Sequence, residues 1–203
     1  NILYYHSLPF EIVTIVIMLL GAINFKLHYA IWTGARKEIV KNIETITLFI
    51  TIMLTTLIIV VGLNQTGTYP AVISMFRKGF YQLISGHTGT GYMTIYAQQF
   101  IREWGGLALV GITIAMGLGG GACSTTGGIK VLRIGIVFKA LVQDIKRIML
   151  PENTVEVQKF HHIKELVLED KQVRSAALIF LCYLLLYVLG ALVGMFYRYP
   201  FLD

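Results

Sequence analysis

Charge is scarce in this chain. Only 14% of its 203 residues are Asp, Glu, Lys or Arg, against 56% hydrophobic, a balance foreign to a soluble domain, so the bilayer is the expected solvent. Cysteine is nearly absent. Cys123 and Cys182 each fall in an apolar stretch, where a small buried thiol is the usual state, and neither a disulfide nor a cysteine metal site is expected. Histidines adjoin only at His161-His162, with no second cluster at ligand spacing, which reads as a solvated polar face. There are no paired carboxylates and no nucleophile with its base, so no enzyme is expected. No basic leader or initiator methionine opens the chain at Asn1, and a piece of a longer polypeptide is expected.

What the chain does have is charge-free length. A helix needs about 18 or more apolar residues to cross the ~30 Å hydrocarbon core. The first run, 12–25, continues past Lys26 into 27–35, and the lysine can snorkel. The second, 45–76, is too long for one span and holds Asn64-Gln-Thr-Gly-Thr-Tyr-Pro70, so a split is expected at Gly62. The others are 104–129 and 175–197.

Basic residues set the orientation. Lys26, Arg36, Lys37 and Lys41 form one group, and Lys130, Arg133, Lys139, Lys146, Arg147 and those up to Arg174 form another, whereas 64–103 holds only Arg77, Lys78 and Arg102. The two rich segments are cytoplasmic by the positive-inside rule. The spans 12–33, 45–63, 104–142 and 175–197 then alternate in direction. The net charge of +6 therefore reads as topology and contact with anionic membrane lipid rather than nucleic acid. Segment 152–174 mixes both signs and reads as a solvated helical connection.

Two irregular features remain. Ala71 to Gly86 is a short apolar stretch introduced by Pro70, too short to cross and return, and a half-membrane helix starting at the proline fits it. His87-Thr88-Gly89-Thr90-Gly91-Tyr92-Met93-Thr94 follows, polar but uncharged. A cation filter needs such residues. Rings of main-chain carbonyls replace the ion's water, and glycines let them turn to one axis, with the negative end of the short helix adding to the field. Thr88, Gly89, Thr90, Gly91 and Tyr92 are the candidate ligands; an ordinary outer loop with turn glycines is the alternative.

The second feature lies inside a span. From Trp104 to Leu118 the helix is roughly 22 Å long, short of the bilayer core. It then meets Gly117-Leu-Gly-Gly-Gly-Ala-Cys-Ser-Thr-Thr-Gly-Gly128. Irregular backbone at membrane depth survives only inside protein or beside a wet cavity, so a broken helix with an intramembrane loop is expected. Gly117, Gly119 and Ala122 loosely match a dinucleotide fingerprint without any βαβ context, and Gly127-Gly128-Ile129-Lys130 lacks the Ser/Thr of a phosphate loop. Small-residue helix packing would space its glycines by four. A helix is expected to resume over 129–150.

The order of span, short helix, Thr-Gly-Tyr loop, Gly-Gly-Gly-Ala-Cys-Ser-Thr-Thr-Gly-Gly-Ile-Lys break and basic helix resembles the Trk/Ktr/HKT superfamily of potassium transporters, in particular its TrkH and KtrB type. Ser124 to Lys130 with Arg133 carries most of the likeness, and Gly21-Ala-Ile-Asn24-Phe25 with Leu27-His28-Tyr29 adds to it. The resemblance implies an all-α membrane protein of helix-pore-helix repeats, with a re-entrant pore helix, a filter loop and one broken helix. Residues 1–43 would end the second of four repeats, 44–151 would be the whole third, and 152–203 would hold the connection and first helix of the fourth. It further implies a filter core at Thr90, Gly91 and Tyr92, with Gly89 where the family more often has Thr or Ala. A gating loop of Gly119, Gly120, Gly121, Ala122, Cys123, Ser124, Thr125, Thr126, Gly127 and Gly128 with Lys130 would lie beneath it. A homodimer in the cytoplasmic membrane and a cytosolic nucleotide-binding regulatory subunit are implied as well. Potassium would be the transported ion, with no organic cofactor. A sodium-preferring relative and a non-conducting accessory subunit are the rival readings.

Overall fold

The computed structural model describes residues 2–149 and 159–197. Its helices are α1 (Leu8–Ala22), α2 (Phe25–Trp32), α3 (Glu38–Lys41), α4 (Ile43–Thr66), α5 (Val72–His87), α6 (Ala97–Glu103), α7 (Gly105–Gly117), α8 (Val131–Met149) and α9 (Asp170–Phe196). Strands β1 (Lys159–His162) and β2 (Lys164–Val167) form an antiparallel hairpin between α8 and α9.

The fold is built around α4. It packs most extensively on α7 and also contacts α5 and α8. Ile52, Ile59 and Leu63 of α4 join Tyr81, Leu83 and Ile84 of α5 and Ala108, Ile112 and Ala115 of α7 in one buried cluster that also holds Trp104. Removing these side chains from lipid or water into a close-packed core fixes α5 against the two longer helices. The Trp104 indole donates to the Tyr69 hydroxyl at 3.3 Å, and the Arg77 guanidinium on α5 forms a two-pronged pair with Glu11 on α1 at 2.5 and 2.6 Å.

Among the described helices, α4 and α9 are long and apolar enough to cross a membrane singly, and α7 is a shorter apolar helix. The expected first span, 12–33, is broken: α1 and α2 meet at 100°. The bend has a local cause, because Ile23 and Asn24 are extended and the Asn24 side chain caps α2 by accepting from the Lys26 amide at 2.9 Å. The expected split at Gly62 does not occur; α4 runs on to Thr66, and Gly62 lies at the crossing with α7. Pro70 sits outside α5, whose cap is Ala71.

The charged connection, expected as a helix over 152–174, is a hairpin over 159–167 and helical only from Asp170, where α9 begins; residues 150–158 lie outside the described set. Ile163 takes a left-handed φ of 64° at the turn, and Phe160 is buried with Ile43, Ile136 and Ala176. His161 and His162 are not a solvated face. Each is only partly exposed, with His161 Nε2 2.6 Å from Glu38 and His162 Nδ1 3.9 Å from Glu44. The expected burial of the thiols is likewise wrong, since both Cys123 and Cys182 are free and exposed.

Candidate functional site

At its C-terminus α5 delivers the chain into the loop singled out as a filter. Sixteen residues give the helix roughly 24 Å, too little to cross the core. The Ser85 carbonyl, at the last turn, accepts from the Thr90 amide at 3.0 Å and the Gly91 amide at 3.4 Å, so the loop wraps over the negative end of the helix. Thr88 is buried and fastens the turn: its hydroxyl donates to the Ile84 carbonyl at 2.8 Å and meets the Thr90 hydroxyl at 2.8 Å. Beside it, the buried His87 ring shares a 3.0 Å hydrogen bond with Thr51 of α4.

Beyond Thr88 the loop is exposed from Gly89 to Tyr92. Gly89 and Gly91 have φ of 66° and 78°, a left-handed conformation that side chains disfavour. Among the described residues, no hydrogen bond ends on the carbonyl oxygens of Thr88, Gly89, Thr90, Gly91 or Tyr92. Carbonyls without a protein partner on this exposed stretch are open to water or to a ligand. Such oxygens can coordinate a partly dehydrated cation. Among the described residues, no group of three or more His, Cys, Asp or Glu side chains is placed to hold a metal ion.

The glycine-rich break between α7 and α8 faces this loop. A Cβ built on Gly89 would lie 3.8 Å from the Gly127 amide nitrogen. The two ends of the break are stapled: Gly119 N–H donates to the Ile129 carbonyl at 2.7 Å and Ile129 N–H to the Gly117 carbonyl at 3.0 Å. Between them the chain plugs into the bend after α1. The Gly121 amide donates to Ala22 at 2.8 Å, the Thr125 amide to Gly21 at 3.2 Å, and the Phe25 amide to the Cys123 carbonyl at 3.0 Å. The loop is thus the partner that satisfies the backbone groups freed by the α1–α2 bend, and the two irregularities pair with each other.

The side chains finish the loop. Thr126 Oγ1 accepts from the Gly120 amide at 2.5 Å and meets Ser124 Oγ at 2.8 Å, and Ser124 donates to the Gly121 carbonyl at 2.7 Å. Lys130 Nζ donates to the Thr126 carbonyl. A side chain at Gly119 would collide with the Gly127 carbonyl, and one at Gly120 with that of Ala22, which is why the run is glycine and not merely small.

The sequence does not point to one participant, Glu44. It is buried in the first turn of α4, where Oε1 accepts from the Ala122 amide at 2.7 Å and Oε2 from the Asn24 side chain at 2.8 Å. In sequence it looks like an ordinary acidic residue after an Asn cap. The one available signal is a carboxylate at the very start of an apolar run.

Comparison with known proteins gives a consistent result. The family model described as TrkH, cation transport protein, matches residues 2–196. An uncharacterized cation transporter of Methanocaldococcus jannaschii is 30% identical over 198 residues, covering 93% of this chain and 37% of its own. The Trk system potassium uptake protein TrkH of Salmonella typhimurium is 25% identical over 156 residues, with 76% and 32% covered. The crystal structure of the potassium transporter TrkH from Vibrio parahaemolyticus superposes with a TM-score of 0.77 at 25% identity, over 95% of this chain and 40% of that one. The chain therefore spans about a third of the length of the curated relatives it matches.

Proposed function

Because the chain belongs to the TrkH family of cation transport proteins, a family of multi-pass membrane transporters rather than enzymes, we propose that it walls part of a potassium uptake pathway across the cytoplasmic membrane. In this reading residues 44–151 are one complete helix-pore-helix repeat, flanked by the end of one repeat in 1–43 and the start of another in 152–203. The carbonyls of Thr88, Gly89, Thr90, Gly91 and Tyr92 are this repeat's share of the filter, and the loop 119–128 with Lys130 is the barrier on its cytoplasmic side. A homodimer in lipid and a cytosolic nucleotide-binding regulatory subunit belong to the same reading.

The observation that carries it is the run of carbonyls left unclaimed on the exposed face from Gly89 to Tyr92, with the glycine loop directly opposite. On this reading the acceptors lie at membrane depth, where leaving them unpaired would be costly, and a dehydrating cation is the ligand they fit. The test is tracer flux by the complete protein in liposomes. Rubidium or potassium uptake well above sodium uptake is expected. Equal uptake of sodium would replace the reading with a sodium-accepting one, and the absence of any flux would make this an accessory subunit.

A further inference from the structure

Glu44 is a buried carboxylate with two N–H partners on two different segments. Oε1 holds the Ala122 amide of the glycine loop at 2.7 Å, and Oε2 holds the Asn24 side chain at the α1–α2 bend at 2.8 Å. Both lengths are those of charge-assisted bonds. The carboxylate lies in the first turn of α4, where the helix dipole favours negative charge. The Asn42 side chain accepts from Glu44's own amide at 2.9 Å and so fixes its backbone. His162 of the hairpin stands 3.9 Å away, within ion-pair range when protonated but beyond hydrogen-bond length, so the hydrogen bonds of the carboxylate are those from the two N–H donors.

Most bonds between the loop and the bend are made by main chain. The Glu44 bond is different, since it ties the middle of the loop to the helix at the centre of the fold. An anion in such a place is held firmly or costs heavily. We propose that Glu44 is the positioning residue of the barrier: it latches the loop 119–128 to the α1–α2 bend, and the loop leaves the ion path only when the Ala122 amide comes off it. This rests on the reading of the loop as a barrier.

The test uses the complete protein in liposomes, with rubidium uptake and the rubidium-to-sodium ratio as readouts. Glutamine offers one acceptor and one donor where Glu44 offers two acceptors, so Glu44→Gln leaves one N–H unanswered. Uptake is expected to rise about tenfold, equivalent to about 1.4 kcal/mol of latch free energy, at an unchanged ion ratio. Adding Asn24→Asp reverses the direction of one bond: the new glutamine amide donates to the new carboxylate, while its carbonyl takes the Ala122 amide. That double variant should return uptake toward the parental level, a rescue that a purely structural role does not predict. Glu44→Asp keeps the charge but withdraws it by one methylene, and should also raise uptake if Glu44→Gln fails to fold.

Unchanged or lower uptake from folded Glu44 variants overturns the latch, as does a rise that the double variant fails to reverse. Deletion of residues 120–123, run alongside, removes the barrier whatever Glu44 does. If only the deletion raises uptake, the latch falls and the barrier stands; if the deletion does not, the barrier reading falls and takes the latch with it.

Discussion

Gly62 of α4 and Ala108 of α7 touch backbone to backbone, and a Cβ on Gly62 would lie 2.6 Å from the Ala108 nitrogen. The contact lies between the two helices that pack most extensively. Gly62→Val in the complete protein should lower its stability by about 1–3 kcal/mol, because the helices must separate to admit the side chain. Gly106→Ala is the reference, having open space at the same atom; it should leave stability unchanged or raise it by up to about 1 kcal/mol. Thermal melting in detergent checks both. Equal melting of Gly62→Val and the parent would mean this contact is not made.

The Glu11–Arg77 pair holds α5 to α1. Glu11 is nearly buried while the Arg77 side chain is 41% exposed, so the coupling should fall between that of exposed and buried pairs, at about 1–2 kcal/mol. A double-mutant cycle with Glu11→Gln and Arg77→Leu, read by thermal inactivation, measures it. Additive effects would show that the two-pronged geometry contributes nothing beyond packing.

Gly91→Ser should reduce the preference for rubidium over sodium. Nothing lies within 4 Å of a Cβ at this position, so the obstacle is its φ of 78° and not space, and relief of that strain turns the neighbouring carbonyls. Permeability ratios in liposomes decide it. An unchanged ratio removes Gly91 from the filter.

Deleting residues 120–123 should raise rubidium uptake and leave the ion ratio alone, because the filter candidates 88–92 are not touched. The deletion also removes the amides of Gly121 and Ala122 and the Cys123 carbonyl, three of the loop's anchors at Ala22, Glu44 and Phe25. Gel filtration must show folded protein before flux is compared. Lower or equal uptake from folded protein would make the loop a structural kink.

The sequence shows some of this plainly. Six glycines among residues 117–128 announce the break, and the end of α7 at Gly117 and the start of α8 at Val131 fall within two residues of where hydropathy puts them. Other parts depend on tertiary partners. The 100° bend follows a single Asn cap, and its exposed backbone groups are satisfied by residues about a hundred positions later. No local pattern encodes that. The hairpin at 159–167 looks like a charged helix until Phe160 is seen among Ile43, Ile136 and Ala176. For the candidate filter loop, residue identities suggested the site, but only the fold shows that Thr88 is buried and fastens the turn and that Gly89 to Tyr92 are exposed.

The paired bonds at the neck of the glycine loop, Gly119 to Ile129 and Ile129 to Gly117, have a consequence for hydrogen exchange. With entry and exit pinned together, the loop closes on itself, and opening it need not unwind either flanking helix. It is then a separate subglobal opening unit, of the kind that native-state exchange resolves from global unfolding. The amides of Gly121, Ala122 and Thr125 should exchange together, faster than those of α7 and α8, while the Gly119 and Ile129 amides at the neck exchange with the helices.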